Sequence, residues 1–255
     1  MHIKSSRLMI LKFYDRLGIE TTTTDIPSSN QASITQVGAM HIDTKEFAEN
    51  TTCKYQTLER DLTFVTTLDE LRTLLFSFEG CQLKKGAKNT VFCDGNPNAK
   101  IMLIGEAPGE QEDKLGIPFC GRSGNLLDKM LQAIGLDRTK VYITNAVFWR
   151  PPGNRRPTPE EIQICKPFLE HHIRLVSPKL IVLLGSTAAS SVLKSQDRIS
   201  MLRNKFYEYK NQFIHEGIST TVMFHPSYLL RQPAQKKLAW EDLKLIRSYI
   251  DAHGL

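Results

Sequence analysis

The chain of 255 residues lacks any apolar run approaching the roughly 20 residues that a membrane-spanning helix needs, so no spanning segment is expected. Its first residues also lack the apolar core of a secretory signal, which makes a cytoplasmic location the expectation. Five cysteines are present (Cys53, Cys81, Cys93, Cys120 and Cys165) but no C-x-x-C pair. An odd count without an export signal points to reduced thiols rather than a disulfide framework. There is no G-x-x-x-x-G-K-S/T loop, which counts against a P-loop nucleotide-handling enzyme.

The apolar fraction of 41% is enough for a substantial core, and the net charge is +6. A basic surface serves solubility, and it equally suits a polyanion such as DNA, whose phosphates supply sequence-independent affinity. Charge alone leaves those two readings even.

Four segments share one grammar, a short apolar run followed at once by a polar loop. Ile101-Met102-Leu103-Ile104 runs into Gly105-Glu106-Ala107-Pro108-Gly109-Glu110-Gln111-Glu112-Asp113, with Pro118-Phe119-Cys120-Gly121 close behind. Val141-Tyr142-Ile143-Thr144 runs into Asn145 and then Arg150-Pro151-Pro152-Gly153-Asn154. Leu180 to Leu184 runs into Gly185-Ser186-Thr187-Ala188, and Thr221 to Phe224 into His225-Pro226-Ser227-Tyr228-Leu229-Leu230-Arg231. Short apolar runs bounded by turn residues read as strands buried on both faces. Strands alternating with helices imply a mostly parallel sheet with helices on both sides. In such sheets ligands bind at the carboxyl ends of the strands. If these strands are parallel neighbours, Glu106, Asn145, Gly185 and His225 meet on one rim.

Helix signals support this organisation. Thr67-Leu68-Asp69-Glu70 is a capping box, and Thr158-Pro159-Glu160-Glu161 adds Pro at the first helical position. Ile162, Cys165, Leu169, Ile173 and Val176 form the inner stripe of the second helix, and Ala239, Leu243, Ile246 and Ile250 that of the last. A short helix is expected over Leu8 to Gly18, and a Thr/Ser/Asn/Gln-rich linker from about Thr21 to Thr44. The expected fold is a three-layer α/β/α sandwich on a central, mostly parallel four-stranded sheet. Residues 1–60 hold the N-terminal helix and linker, and residues 61–255 the compact domain.

Each candidate residue has a plainer role as well. Phe119 is either a core side chain or an exposed stacking surface, and a Pro-Phe-Cys-Gly loop favours the surface. Asn145 either closes a strand end or reads a ligand edge, since an amide can donate and accept together. Gly185 and Ser186 open a helix whose free amides suit a phosphate. Glu112 and Asp113 either share an electrostatic role at the site or form a solvated acidic loop, and the loop is favoured. His171 and His172, on an amphipathic helix, read as surface or satisfied core residues.

Residues 66 to 250 resemble the type-4 uracil-DNA glycosylases. The carriers are GEAPGEQED with PFCG, ITNAVFWRPPGNRRPTPEE, LIVLLGSTAA and HPSYLLR. The resemblance implies a DNA glycosylase that flips uracil from DNA and hydrolyses its bond to deoxyribose. It implies that Phe119 stacks on the base, Asn145 reads it, and the Ala107 amide contacts it. It implies that His225 donates to the oxygen where negative charge develops, and that Glu106 positions or activates water beside a cationic sugar. Gly185 and Ser186 would hold a phosphate. Leu229, Leu230 and Arg231 would enter the duplex in place of the flipped base. Arg150, Arg155 and Arg156 either touch the DNA backbone or are plain surface charges. The expected partner is uracil-containing DNA and the expected species a monomer. A non-catalytic relative that binds damaged or single-stranded DNA is the alternative.

Most type-4 members hold a four-iron, four-sulfur cluster on four cysteines. At the matching positions this chain has Phe78, Cys81, Trp149 and Cys165. Such clusters normally need four protein ligands, so no cluster is expected, with Cys93 as the minority substitute ligand. No Lys sits within the motifs to form a Schiff base, and there is no Lys-Arg-Arg-Ile-His run of the kind that traps product covalently in one related branch. Both absences point to a monofunctional enzyme that turns over.

Overall fold

A computed structural model describes residues 62–255. The expected helix near Leu8, the polar linker, the boundary near residue 61 and Cys53 lie outside the described residues.

The central strands are β2 (Ile101–Gly105), β3 (Val141–Asn145), β4 (Leu180–Leu184) and β6 (Ile214–Met223). They pair in parallel in the order β3-β2-β4-β6. The sheet is larger than expected. Among the described residues it has six strands, because β1 (Asp94–Gly95) and β5 (Phe206–Asn211) add antiparallel edges. β1 is a two-residue bridge with no apolar signature, and β5 alternates exposed and half-buried residues with one buried Tyr209.

The side-chain period of two divides the core. Met102, Ile104, Tyr142, Ile181 and Leu183 pack on one face. There they meet α1 (Leu68–Ser77), α5 (Pro159–Val176) and α6 (Ser186–Leu193). Ile101, Leu103, Val141, Ile143, Val182 and Leu184 pack on the other, against α4 (Arg122–Gln132) and α9 (Lys236–His253). Both faces are covered, so every residue of β2, β3 and β4 is buried. This is why those strands read as unbroken apolar runs.

Both capping boxes form. Glu70 N donates to Thr67 Oγ1 at 3.2 Å, and Glu161 N to Thr158 Oγ1 at 3.3 Å, each Glu carboxylate closing back onto the cap amide. Cys165, Leu169, Ile173 and Val176 are buried on α5 as the stripe predicts, with Ile162 half-buried. His171 and His172 are both buried on α5. His172 Nδ1 lies 2.9 Å from the Tyr142 hydroxyl, but among the described residues its Nε2 has no partner, so this ring is not fully satisfied.

Candidate active site

The parallel register brings the loops together. Gly105 pairs with Asn145 across β2 and β3, and Gly185 N donates to Met223 O at 2.9 Å beside His225. A cleft of about 780 Å³ opens at these strand ends. Its lining includes Glu106, Ala107, Phe119, Asn145, His225 and Arg231, with Gly185 and Ser186 on the same wall.

Close backbone approach builds the pocket floor. A Cβ on Gly105 would lie 2.3 Å from Asn145 Oδ1 and 2.6 Å from the Phe119 ring. No real side chain tolerates those distances, so only glycine lets the amide and the ring converge there. Gly105→Ala is expected to displace both groups. Chemical shifts of the Asn145 side-chain amide check this, and unchanged shifts count against the geometry. Gly185 has φ +97, and its Cβ would come 3.0 Å from His225 Cβ, so glycine is required there too.

His225 caps α8 (Pro226–Arg231). Its Nδ1 accepts from Ser227 N at 3.1 Å and lies 2.8 Å from Ser227 Oγ. A nitrogen that accepts a backbone amide carries no proton, so the neutral ring holds its hydrogen on Nε2. Burial, aided by the charge of Arg231, pushes the His225 pKa down to about 4. The ring is therefore neutral at physiological pH and is a donor through Nε2.

The same burial has a stability consequence. Burial and the neighbouring His171 and Arg72 hold His172 down to about 3. Both rings are neutral when folded, but titrate near pH 6.5 when unfolded. Their contribution is complete above about pH 6.5 and is lost as pH falls toward about 4 for His225 and about 3 for His172. Calorimetry across that range should show Tm falling, and His225→Asn should flatten the fall.

Phe119 stacks on His225 with ring centroids 5.5 Å apart and 29° between planes. It is largely buried, and its backbone is in the left-handed region at φ 53. The ring is both part of the core and part of the cleft wall. Glu106 follows β2 directly, and its Oε2 accepts from Thr187 Oγ1 on α6. Thr187, inside the Gly-Ser-Thr turn, was not singled out from the sequence. Only the fold brings it to a carboxylate that far away in the chain.

Two expectations need correction. Glu112 and Asp113 are not a solvated loop. Glu112 accepts from Gly109 N at 3.1 Å and Gly121 N at 3.0 Å, which ties the two site loops together. Asp113 is buried and accepts from Lys88 N at 2.8 Å and Asn89 N at 3.2 Å. Leu229 is 1% exposed and packs in the core, so it is not part of an inserting loop. Leu230 beside it is 36% exposed, and Arg231 lines the cleft. Arg155 and Arg156 also reach the cleft, with Arg155 paired to Glu161 at 2.6 Å, whereas Arg150 bonds Asn154 at 2.7 Å.

The Uracil DNA glycosylase superfamily model matches residues 92–244, which include every one of these cleft residues. The chain belongs to the uracil-DNA glycosylase superfamily. It is similar to three proteins named type-4 uracil-DNA glycosylase. The one from Thermotoga maritima is 39% identical, covering 68% of this chain and 90% of the relative. The one from Sulfurisphaera tokodaii is 38% identical over 71% and 84%. The one from Archaeoglobus fulgidus is 38% identical over 71% and 92%.

At the four positions that match the type-4 cluster cysteines, the residues present do not fit a four-cysteine cluster. Phe78 stacks on Trp149 with centroids 6.4 Å apart and meets Phe168 edge-on at 5.1 Å. Trp149 is fully buried and donates from Nε1 to Thr90 Oγ1 at 2.9 Å. Cys81 and Cys165 are buried free thiols. Burial, reinforced by Cys81, holds the Cys165 thiol well above its ordinary pKa. Cys93 sits instead beside Arg72, 4.0 Å from its guanidinium. Among the described residues no group of three or more His, Cys, Asp or Glu is placed to hold a metal ion.

Proposed function

We propose that the protein is a monofunctional uracil-DNA glycosylase that hydrolyses the N-glycosidic bond of a flipped uracil and leaves an abasic site. The observation that carries this is the neutral His225, with Nδ1 used by Ser227 and Nε2–H left as a donor in the same cleft as Glu106, Asn145 and Phe119.

Each role follows from the chemistry. As the glycosidic bond breaks, the base takes the bonding electrons and negative charge grows on a carbonyl oxygen. A preorganised donor aimed at that oxygen stabilises the transition state more than the ground state. His225 Nε2–H is that donor. Asn145 offers a donor and an acceptor to the edge of the base, and the Phe119 ring supplies a stacking face. The Ala107 amide adds a backbone contact. The Glu106 carboxylate, steadied by the Thr187 hydroxyl, faces the sugar that becomes cationic and orients the attacking water. The amides of Gly185 and Ser186 receive a backbone phosphate. Leu230 and Arg231 fill the gap in the duplex, the residue types that such insertion uses.

The alternative, a non-catalytic DNA-binding relative, would not need Glu106, Asn145 and His225 held together. We extend the proposal to other deaminated bases. A labelled oligonucleotide with one uracil, incubated with the protein in EDTA and then in hot alkali, tests the proposal. A strand break only after alkali is expected. No break would overturn it, and parallel substrates carrying deaminated purines set its range.

We also propose that the protein works without an iron–sulfur cluster, since aromatic rings occupy the positions of two ligands. Purified protein should lack the broad absorbance near about 400 nm that such clusters give. A brown, iron-containing preparation would overturn this.

A further inference from the structure

Phe119 has a backbone conformation that an L-residue with a side chain adopts only at a cost, φ 53. Such strain persists only where the surroundings over-determine it. The surroundings here are specific. One Arg138 terminal nitrogen donates to Phe119 O, and the other donates to Asp94 and lies 3.4 Å from Pro118 O. Its Nε donates to Asp128 Oδ1 at 2.8 Å. The guanidinium, about a quarter exposed, thus spends its fork on two carboxylates and two consecutive loop carbonyls. Asp94 comes from β1, Asp128 from α4, and Arg138 from the turn leading to β3.

The loop is also closed off on its far sides. A Cβ on Gly124 would lie 1.6 Å from Phe119 O, so α4 accepts that carbonyl only at a glycine. Two residues past Phe119, Gly121 N is held by Glu112 Oε1 at 3.0 Å. The ring faces His225 from this pinned backbone.

We infer that Arg138 is a positioning residue. It touches no substrate, and it sets the plane of the stacking face by fixing the Pro118 and Phe119 carbonyls, with Asp94 and Asp128 fixing Arg138 in turn. Lysine keeps the charge but cannot span two carboxylates and two carbonyls, because the planar fork is lost.

The inference rests on the glycosylase reading, and its test separates the two. Arg138→Lys should lower single-turnover excision about 10- to 100-fold, the scale of a small misplacement at the reacting centre. It should weaken inhibition by free uracil by a similar factor and leave affinity for abasic-site DNA unchanged. In a Phe119→Ala background the same substitution should add no further loss, because Arg138 acts through that ring. Asp94→Asn, which loosens the guanidinium without removing it, should show a weaker form of the same pattern if the first variant folds poorly. Wild-type excision by folded Arg138→Lys, or an equal loss with and without Phe119, would overturn the inference. If the wild-type protein excises no uracil, the glycosylase reading fails. Hydrogen exchange then decides the positioning claim: faster exchange of the Phe119 and Gly121 amides in the variant supports it, and unchanged exchange overturns it.

Discussion

His225→Ala should reduce excision of uracil by about 100- to 1,000-fold, the usual effect of removing one preorganised donor from a developing oxyanion. Affinity for uracil-containing DNA should change little, because phosphate contacts dominate binding. The substitution removes Nε2–H and also frees Ser227 N, which now donates to Nδ1 at 3.1 Å. His225→Gln separates the two, since its amide can still donate while the fixed ring geometry is lost. Single-turnover rates with excess enzyme read the chemical step directly. If His225→Ala excises at the wild-type rate, the donor role is wrong and the leaving base must be stabilised elsewhere.

Trp149→Ala should cost about 3–5 kcal/mol of folding stability, the range for emptying a buried large aromatic site. The loss has identifiable parts. The indole is fully buried, stacks on Phe78, meets Phe148 edge-on at 6.2 Å and donates to Thr90. Removing it takes away one of the two rings that Phe78 packs on, leaving Phe168, so Phe78→Ala and Trp149→Ala should not add independently. Denaturant unfolding checks this. A loss below about 1 kcal/mol would mean that the site collapses freely and that the rings do not hold this part of the core.

The four strand-and-loop units were legible because a sheet covered on both faces needs uninterrupted apolar strands, and its ligands gather at the strand ends. Thr67 and Thr158 marked their helix starts because a capping box is a local signal. What escaped was long-range or masked by local chemistry. Thr187 reaches Glu106, and Arg138 reaches Phe119 and Asp94, only once the sheet has formed. Glu112 and Asp113 look like surface acids in a polar stretch, yet they accept four backbone amides between them. Leu229 and Leu230 are neighbours of one type, and only the short helix α8 turns the first inward and the second outward. Strands β1 and β5 carried no apolar run because an edge has one pairing side and needs little burial.

Those two edges also bear on self-association. An open strand edge is a template on which a second copy can add its own strand. Here one edge is two residues long, and the other exposes Glu208 and Lys210 beside an irregularity between Tyr209 and Asn211. Short length, charge and a broken ladder are devices that discourage pairing. The sheet can thus keep its carboxyl rim open to a long polyanion without offering its flanks as a seed for aggregation.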